Sequence, residues 1–148
     1  MIWDFQDALS RRLLLWSALS IIAGIAMLLI GDGFWCGFGL QAIVWGGIDA
    51  AIAIFGTRSA RRRQAASQHT PAVFEREAHN LRKLLWINTG LDVFYMVGGF
   101  LVFWVFGSQD SFAAGNGIGI VTQGSFLFLF DLLHVRAMPL CEPPSDQH

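Results

Sequence analysis

The sequence predicts an all-α integral membrane protein, with four transmembrane helices in an antiparallel bundle and both termini in the cytoplasm. Three observations carry this. Only 14% of the 148 residues are charged, against 54% hydrophobic, whereas a soluble domain carries about 25% charged residues. Four apolar stretches, at about 13–31, 34–56, 84–107 and 112–134, each approach or exceed the roughly 20 residues that crossing hydrocarbon requires. The 10 basic residues are also sorted along the chain. Arg11 and Arg12 precede the first stretch, Arg58, Arg61, Arg62, Arg63, Arg76, Arg82 and Lys83 separate the second from the third, and Arg136 follows the fourth. The short loops around Asp32 and Asp110 carry none. Cytoplasmic loops are enriched in Lys and Arg, so this sorting predicts a basic inner face.

The segments follow in order. Residues 1–12 mix Ile2, Trp3, Phe5 and Leu9 with charge, which suits a short interfacial helix leading into the first span. The twin arginine of "SRRLLLW" is not followed by a small-residue cleavage site, so a cleaved export signal is not expected. Residues 57–83 form a basic cytoplasmic loop with a helix extension. Within it "RSARRRQAASQH" reads as a polar linker, and Arg58, Arg61, Arg62 and Arg63 are candidates for lipid head groups. "TPAVFEREAHNLRK" reads as a helix start that runs on into the third span, with Thr70 as N-cap and Pro71 at the first helical position. Residues 1–137 make one domain, and the Pro-rich 138–148 a disordered tail. Cys36 and Cys141 fall on opposite sides of the membrane and cannot pair within one chain.

The halves of the chain match weakly. "LLW" occurs at Leu14–Trp16 and Leu84–Trp86, and the Gln41/Asp49 spacing equals that of Gln123/Asp131. Such matches suggest a duplicated hairpin.

Each span carries one polar or small stripe at helical spacing. In the fourth it is Asn116, Gly119, Gln123, Asp131 and His134. In the third it is Asn88, Asp92, Tyr95 and Gly99, and in the second Gln41, Trp45 and Asp49. The first offers Ser17, Ser20, Gly24 and Gly31. Polar stripes face a bundle's interior, and small residues let helices approach closely. Asp49 and Asp92 sit about two turns from the inner ends of their spans, with Asn88, Asp131 and His134 nearer the cytoplasm. A lone Asp at mid-membrane costs about 2.5–3.5 kcal/mol on insertion scales. Three such residues must therefore hydrogen-bond, share protons or bind a cation.

The candidate ligand- or ion-binding residues are Asp49, Asn88, Asp92, Tyr95, Gln123, Asp131 and His134. Gln41, Trp45, Ser17 and Ser20 form the supporting stripe. Asp92, Asp131 and His134 would be the ligands of a metal, since carboxylates with imidazole suit several divalent ions, although their spacing does not specify one. Buried polar groups also serve only to fix helix packing. Asp131 with His134 reads equally as an interfacial ion pair, and Asn88 as a helix–helix hydrogen bond.

No P-loop, GxSxG or HExxH occurs, which points away from an enzyme, and no cofactor is specified. Two functions remain in view. One is the binding of a proton, cation or small polar ligand, as in a transporter. The other is a non-catalytic subunit or assembly factor of a membrane complex, with Phe100, Phe103, Phe126 and Phe128 as an outer partner surface. The implied partners are the lipid bilayer and a second copy or larger complex, with no nucleic acid.

The segments "WGGIDAAIAIFG" (45–56), "NTGLDVFYMVGG" (88–99) and "QGSFLFLFDLLH" (123–134) resemble uncharacterised families of short prokaryotic four-span membrane proteins. The resemblance implies a multi-pass protein of the prokaryotic inner membrane. It also implies that Trp45, Asp49, Asn88, Asp92, Gln123, Asp131 and His134 form the family's polar core, and it implies no substrate.

Overall fold

Each apolar stretch folds into a helix that overruns it. The computed structural model describes residues 2–66 and 70–138. Their helices are α1 (Ile2–Ile30), α2 (Gly33–Ala66), α3 (Pro71–Phe106) and α4 (Ser111–Ala137). At about 1.5 Å per residue they are roughly 40–54 Å long, more than the ~30 Å of a hydrocarbon core. All four are long and apolar enough to cross a membrane.

The acids of the two short loops act as caps. The Asp32 carboxylate accepts from the backbone N–H groups of Phe34 (3.2 Å) and Trp35 (3.4 Å) at the start of α2. Asp110 accepts from Phe112 N–H (2.8 Å) at the start of α4. These bonds satisfy donors that a helix's first turn leaves free. At α3 the cap differs from expectation. Pro71 opens the helix, but the Thr70 side chain makes no capping bond. Its carbonyl instead accepts from Val73 and Phe74 N–H.

Two boundaries differ from the sequence reading. Residues 2–12 are not a separate interfacial helix but the first turns of α1. Residues 58–66, read as a polar linker, continue α2. Arg, Ala and Gln are strong helix formers, and the extension is braced laterally. Arg63 Nε donates to Glu77 of α3 at 3.0 Å and its Nη1 to Ser59 at 2.6 Å, while Arg61 pairs with Asp7 of α1 at 3.6 Å. The linker's last residues (67–69) and the tail's 139–148, including Cys141, lie outside the described residues.

α4 is the central helix. It packs against α2 and α3, and α1 packs against α2, while α1 and α3 barely meet. Glycine makes these seams. A β-carbon on Gly99 would stand 2.8 Å from Gly117 O, and one on Gly117 2.7 Å from Gly99 O. On the α2–α4 seam, a β-carbon on Gly115 would collide with the Phe34 carbonyl and one on Gly37 with the Phe112 carbonyl. Without a hydrophobic force between helices in lipid, such close van der Waals packing holds membrane bundles together. Ser17 and Ser20 do the same work on α1, where Gly46 of α2 lies against Ser17 O and Ser20 Cβ.

At one end, Ile2 and Trp3 of α1, Ala60 of α2 and Met138 form a buried cluster, with Phe74, Ala78 and Leu81 of α3 packed against it. Deeper in, Leu13, Ala53, Leu127 and Phe130 form a second. The outer faces expose Leu15, Ile22, Phe55, Phe94 and Trp104, which are compatible with lipid contact. Of the aromatics expected on the outside, Phe100 and Phe103 are exposed. Phe126 instead stacks on Trp16, with ring centroids 3.5 Å apart and planes 9° from parallel. The two "LLW" tryptophans also differ, since Trp16 is half-buried in this stack and Trp86 is exposed.

Adjacent glycines on α3 give a test of the seams. A β-carbon on Gly98 meets nothing within 4 Å, whereas one on Gly99 meets Gly117 O and Ile120. Gly98→Ala is expected to raise stability by up to about 1 kcal/mol through helix propensity. Gly99→Ala is expected to lower it by about 1–3 kcal/mol through overpacking. Thermal melts of the two variants in nanodiscs, compared with wild type, check the sign of each.

Candidate functional site

Three of the four helices each contribute one carboxylate to the same place. Asp49 of α2, Asp92 of α3 and Asp131 of α4 are 1%, 4% and 6% exposed. With Asn88, Trp45 and Tyr95 they line a cavity of about 180 Å³. The cavity exists because α2 and α3 are both held by α4 rather than packed along each other. α4 supplies its floor through Leu127 and Asp131, and α1 contributes Leu13.

The local reasons for this placement are simple. Leu127 lies one turn before Asp131 on the face that α4 turns to the interior. Gly124, one turn further back, lets α3 approach, since a β-carbon there would stand 3.0 Å from the Met96 side chain and 3.4 Å from Asp92 O. That contact sets Asp92 near the level of Leu127, about one turn from Asp131. On α2, Asp49 lies one turn beyond Trp45, whose ring meets Tyr95 of α3 edge-on at 4.8 Å and 67°.

The carboxylates are unequally satisfied. Asp131 takes a hydrogen bond from the Asn88 side chain. Asp49 Oδ2 and Asp92 Oδ2 are buried without a hydrogen-bond partner. A buried carboxylate oxygen without a donor is costly. The three acids are also close enough for Asp92 to act electrostatically on Asp49 and for both to act on Asp131. No lysine or arginine lines this cavity. The arrangement therefore leaves two carboxylate oxygens without a protein donor.

The rest of the predicted stripe lies elsewhere. His134 is buried but does not line the cavity. Its Nδ1 is 2.6 Å from Phe130 O, and its Nε2 is 3.1 Å from Arg12 Nη1. A carbonyl only accepts and a guanidinium only donates, so Nδ1 carries the proton and Nε2 the lone pair, a neutral imidazole. This replaces the Asp131–His134 ion pair, because the ring is already occupied at both nitrogens. For the same reason His134 does not complete a metal site with Asp92 and Asp131. Among the described residues no group of three His, Cys, Asp or Glu side chains is arranged to hold a metal ion.

Gln123 Oε1 accepts from Trp16 Nε1 at 3.2 Å, and Gln41 Nε2 donates to Asn116 Oδ1 at 2.7 Å. These amides fasten α1 to α4 and α2 to α4. Ser17 Oγ returns a bond to Leu13 O at 2.8 Å within its own helix, and Ser20 Oγ is buried without a partner. Arg58 and Arg62 stand exposed, whereas Arg61 and Arg63 hold the ion pairs described above.

Sequence reasoning missed the apolar lining (Leu13, Ile48, Ile52, Leu91, Leu127). Except for Leu13 of α1 the signal was present, because the other four are next to an acid or one turn from it on α2, α3 and α4. It also missed Trp16 and Arg12 as partners of Gln123 and His134, which depend on tertiary contacts across more than a hundred residues.

The match to known families covers this whole arrangement. A family model described as a family of unknown function, DUF6992, matches residues 12–132, a span that contains all three acids, Asn88 and the Trp45–Tyr95 pair. No curated protein and no solved structure matches the chain. The chain belongs to the family of unknown function DUF6992.

Proposed function

We propose that this is a small multi-pass protein of a prokaryotic cytoplasmic membrane, an antiparallel four-helix bundle whose acid cluster binds a proton or a cation, with transport as its role. The observation that carries the reading is the pair of buried oxygens, Asp49 Oδ2 and Asp92 Oδ2, that lack donors on opposite walls of one cavity. A proton or a cation relieves both without moving a helix and also offsets their negative charge, which a bound water does not. The bound species would exchange with the proton held between the carboxyls, and this coupling is what a proton- or ion-driven transporter needs.

The competing reading is a structural subunit whose polar core only fixes packing. The Gln41–Asn116 and Trp16–Gln123 pairs favour it for their part of the stripe, because each ties two helices together by a side-chain hydrogen bond. It does not account for the free oxygens of Asp49 and Asp92.

The orientation belongs to the same proposal. The cluster of Ile2, Trp3, Ala60 and Met138 gathers the end of the bundle where the arginines concentrate, and a basic end of this kind faces the cytoplasm. There Arg58 and Arg62 are available to anionic lipid.

Two measurements test this. The first is the melting temperature of the full chain in nanodiscs, across pH 5–9 and with added Na⁺, K⁺ or Mg²⁺, for wild type, Asp49→Asn and Asp92→Asn. The titratable groups lining the cavity are Asp49, Asp92, Asp131 and Tyr95. Wild type is expected to respond to pH or to one of the ions. An ion in hundredfold excess over its Kd adds about 2.7 kcal/mol. The Asn variants are expected to lose most of the response, and equal responses from all three proteins would refute the reading.

The second is labelling of intact cells with a membrane-impermeant maleimide, in a background with Cys36→Ser and Cys141→Ser. Gln109→Cys is expected to react and Ala65→Cys to react only after lysis. The reverse pattern would invert the orientation.

A further inference from the structure

A second space adjoins the acid cavity. On the far side of the Trp45–Tyr95 contact a groove of about 420 Å³ runs between α2 and α3. Trp45, Tyr95 and Ile48 line both spaces. Apart from Gln41 and the Trp45 and Tyr95 heteroatoms, the groove is apolar, with Val44, Phe94, Gly98 and Val102 along it. Its rim faces outward, since Phe94 is 75% exposed and Val44 45%. In a bilayer this groove would open sideways to the lipid.

Three features of the combined site define one ligand chemistry. The acid end offers carboxylate oxygens without donors. Two aromatic rings of complementary orientation stand at the junction, and the face of a Trp or Tyr ring attracts a cation. The groove offers apolar surface of a length that a small inorganic ion does not need. Taken alone, the acid cavity is smaller than the ~300–1,000 Å³ of drug-sized ligand sites, and the two spaces together fall within it.

From this geometry we infer that the site takes a lipophilic organic cation, with its ammonium or phosphonium centre at Asp49, Asp92 and the Trp45–Tyr95 pair and its apolar body in the α2–α3 groove. The inference rests on the cation-binding reading above and names its ligand class. Two alternatives fit less well. A hard divalent ion wants several oxygens in a tight shell, and the described acids are not gathered into a metal-holding group. A phospholipid carries a phosphate, and neither space is lined by a lysine or arginine that would meet it. A large diffuse cation needs only nearby negative charge and π faces, and both are present.

Gly98 gives a test that leaves the fold and the acids alone. A β-carbon there meets nothing within 4 Å, yet the residue lines the groove. Gly98→Leu therefore adds bulk at a residue of the groove wall whose β-carbon has open space. The experiment is equilibrium binding of radiolabelled (4-phenylbutyl)trimethylammonium, whose charge sits at one end of an apolar body, to the full chain in zwitterionic nanodiscs, with uptake by empty nanodiscs subtracted. Its neutral isostere, with a tert-butyl group in place of the trimethylammonium, and tetramethylammonium serve as competitors.

Wild type is expected to bind saturably, at about one probe per chain. Asp49→Asn and Asp92→Asn should weaken binding at least tenfold, and so should Gly98→Leu, which should keep the wild-type melting response to pH and ions. The neutral competitor should not displace the probe, and tetramethylammonium, which lacks the apolar body, should do so only weakly. Uptake no greater than that of empty nanodiscs, or binding indifferent to Gly98→Leu, overturns the inference while leaving the proton- or ion-binding reading intact. Binding that survives both Asp→Asn variants, together with melts that ignore pH and ions, removes both.

Discussion

A carboxylate inside an apolar helix bundle must find a donor, a proton or a cation, and this requirement organises the structure. The bundle brings three such groups to one cavity, one each from α2, α3 and α4. Asp131 has its donor in Asn88, and Asp49 and Asp92 each keep one oxygen bare. Much of the surrounding architecture supports that placement. The glycine seams bring α4 close enough to both neighbours to carry Asp131 between them. The Trp45–Tyr95 contact joins α2 and α3 beside the cavity that Asp49 and Asp92 line.

Outside the cavity Gln41, Asn116, Gln123 and His134 have hydrogen-bond partners within the bundle, whereas Ser20 Oγ and Gln6 Oε1 are buried without one. Gln41 and Asn116 close one seam and Trp16 and Gln123 another, while His134 is held between Phe130 O and Arg12. This contrast sorts the stripe into fasteners and site. A fastener has a protein partner at hydrogen-bond distance, whereas the site is where two carboxylate oxygens lining one cavity lack one. The same criterion separates Ser17, which bonds back to its own helix, from Asp49, which bonds to nothing through Oδ2.

Much of this is legible in the sequence, for physical reasons. A charged residue in an apolar run is so unfavourable in lipid that its position alone marks the interior face, so Asp49, Asp92 and Asp131 identify themselves. Helical spacing then places Trp45 and Tyr95 one turn from Asp49 and Asp92. The assignment of individual partners is not legible, because it depends on the relative rotation and depth of helices far apart in the chain. His134 illustrates this. Three residues from Asp131, it reads as that acid's ion-pair partner, yet the rotation of α4 turns it to Arg12. The helical extension of α2 to Ala66 was obscured by composition, since an arginine-rich polar run reads as a linker until Glu77 and Asp7 are found beside it.

The central claim is that the bare oxygens of Asp49 and Asp92 are a place for exchangeable positive charge rather than a packing defect. Difference infrared spectroscopy of the full chain in nanodiscs tests it most directly, by following the carboxylic-acid C=O stretch as cation is added at constant pH. The account predicts that the band shrinks as carboxylate bands grow, and that Asp49→Asn and Asp92→Asn each remove part of the change. A spectrum that stays unchanged across pH and with every cation offered, including a lipophilic one, would contradict it and leave the cluster as scaffold.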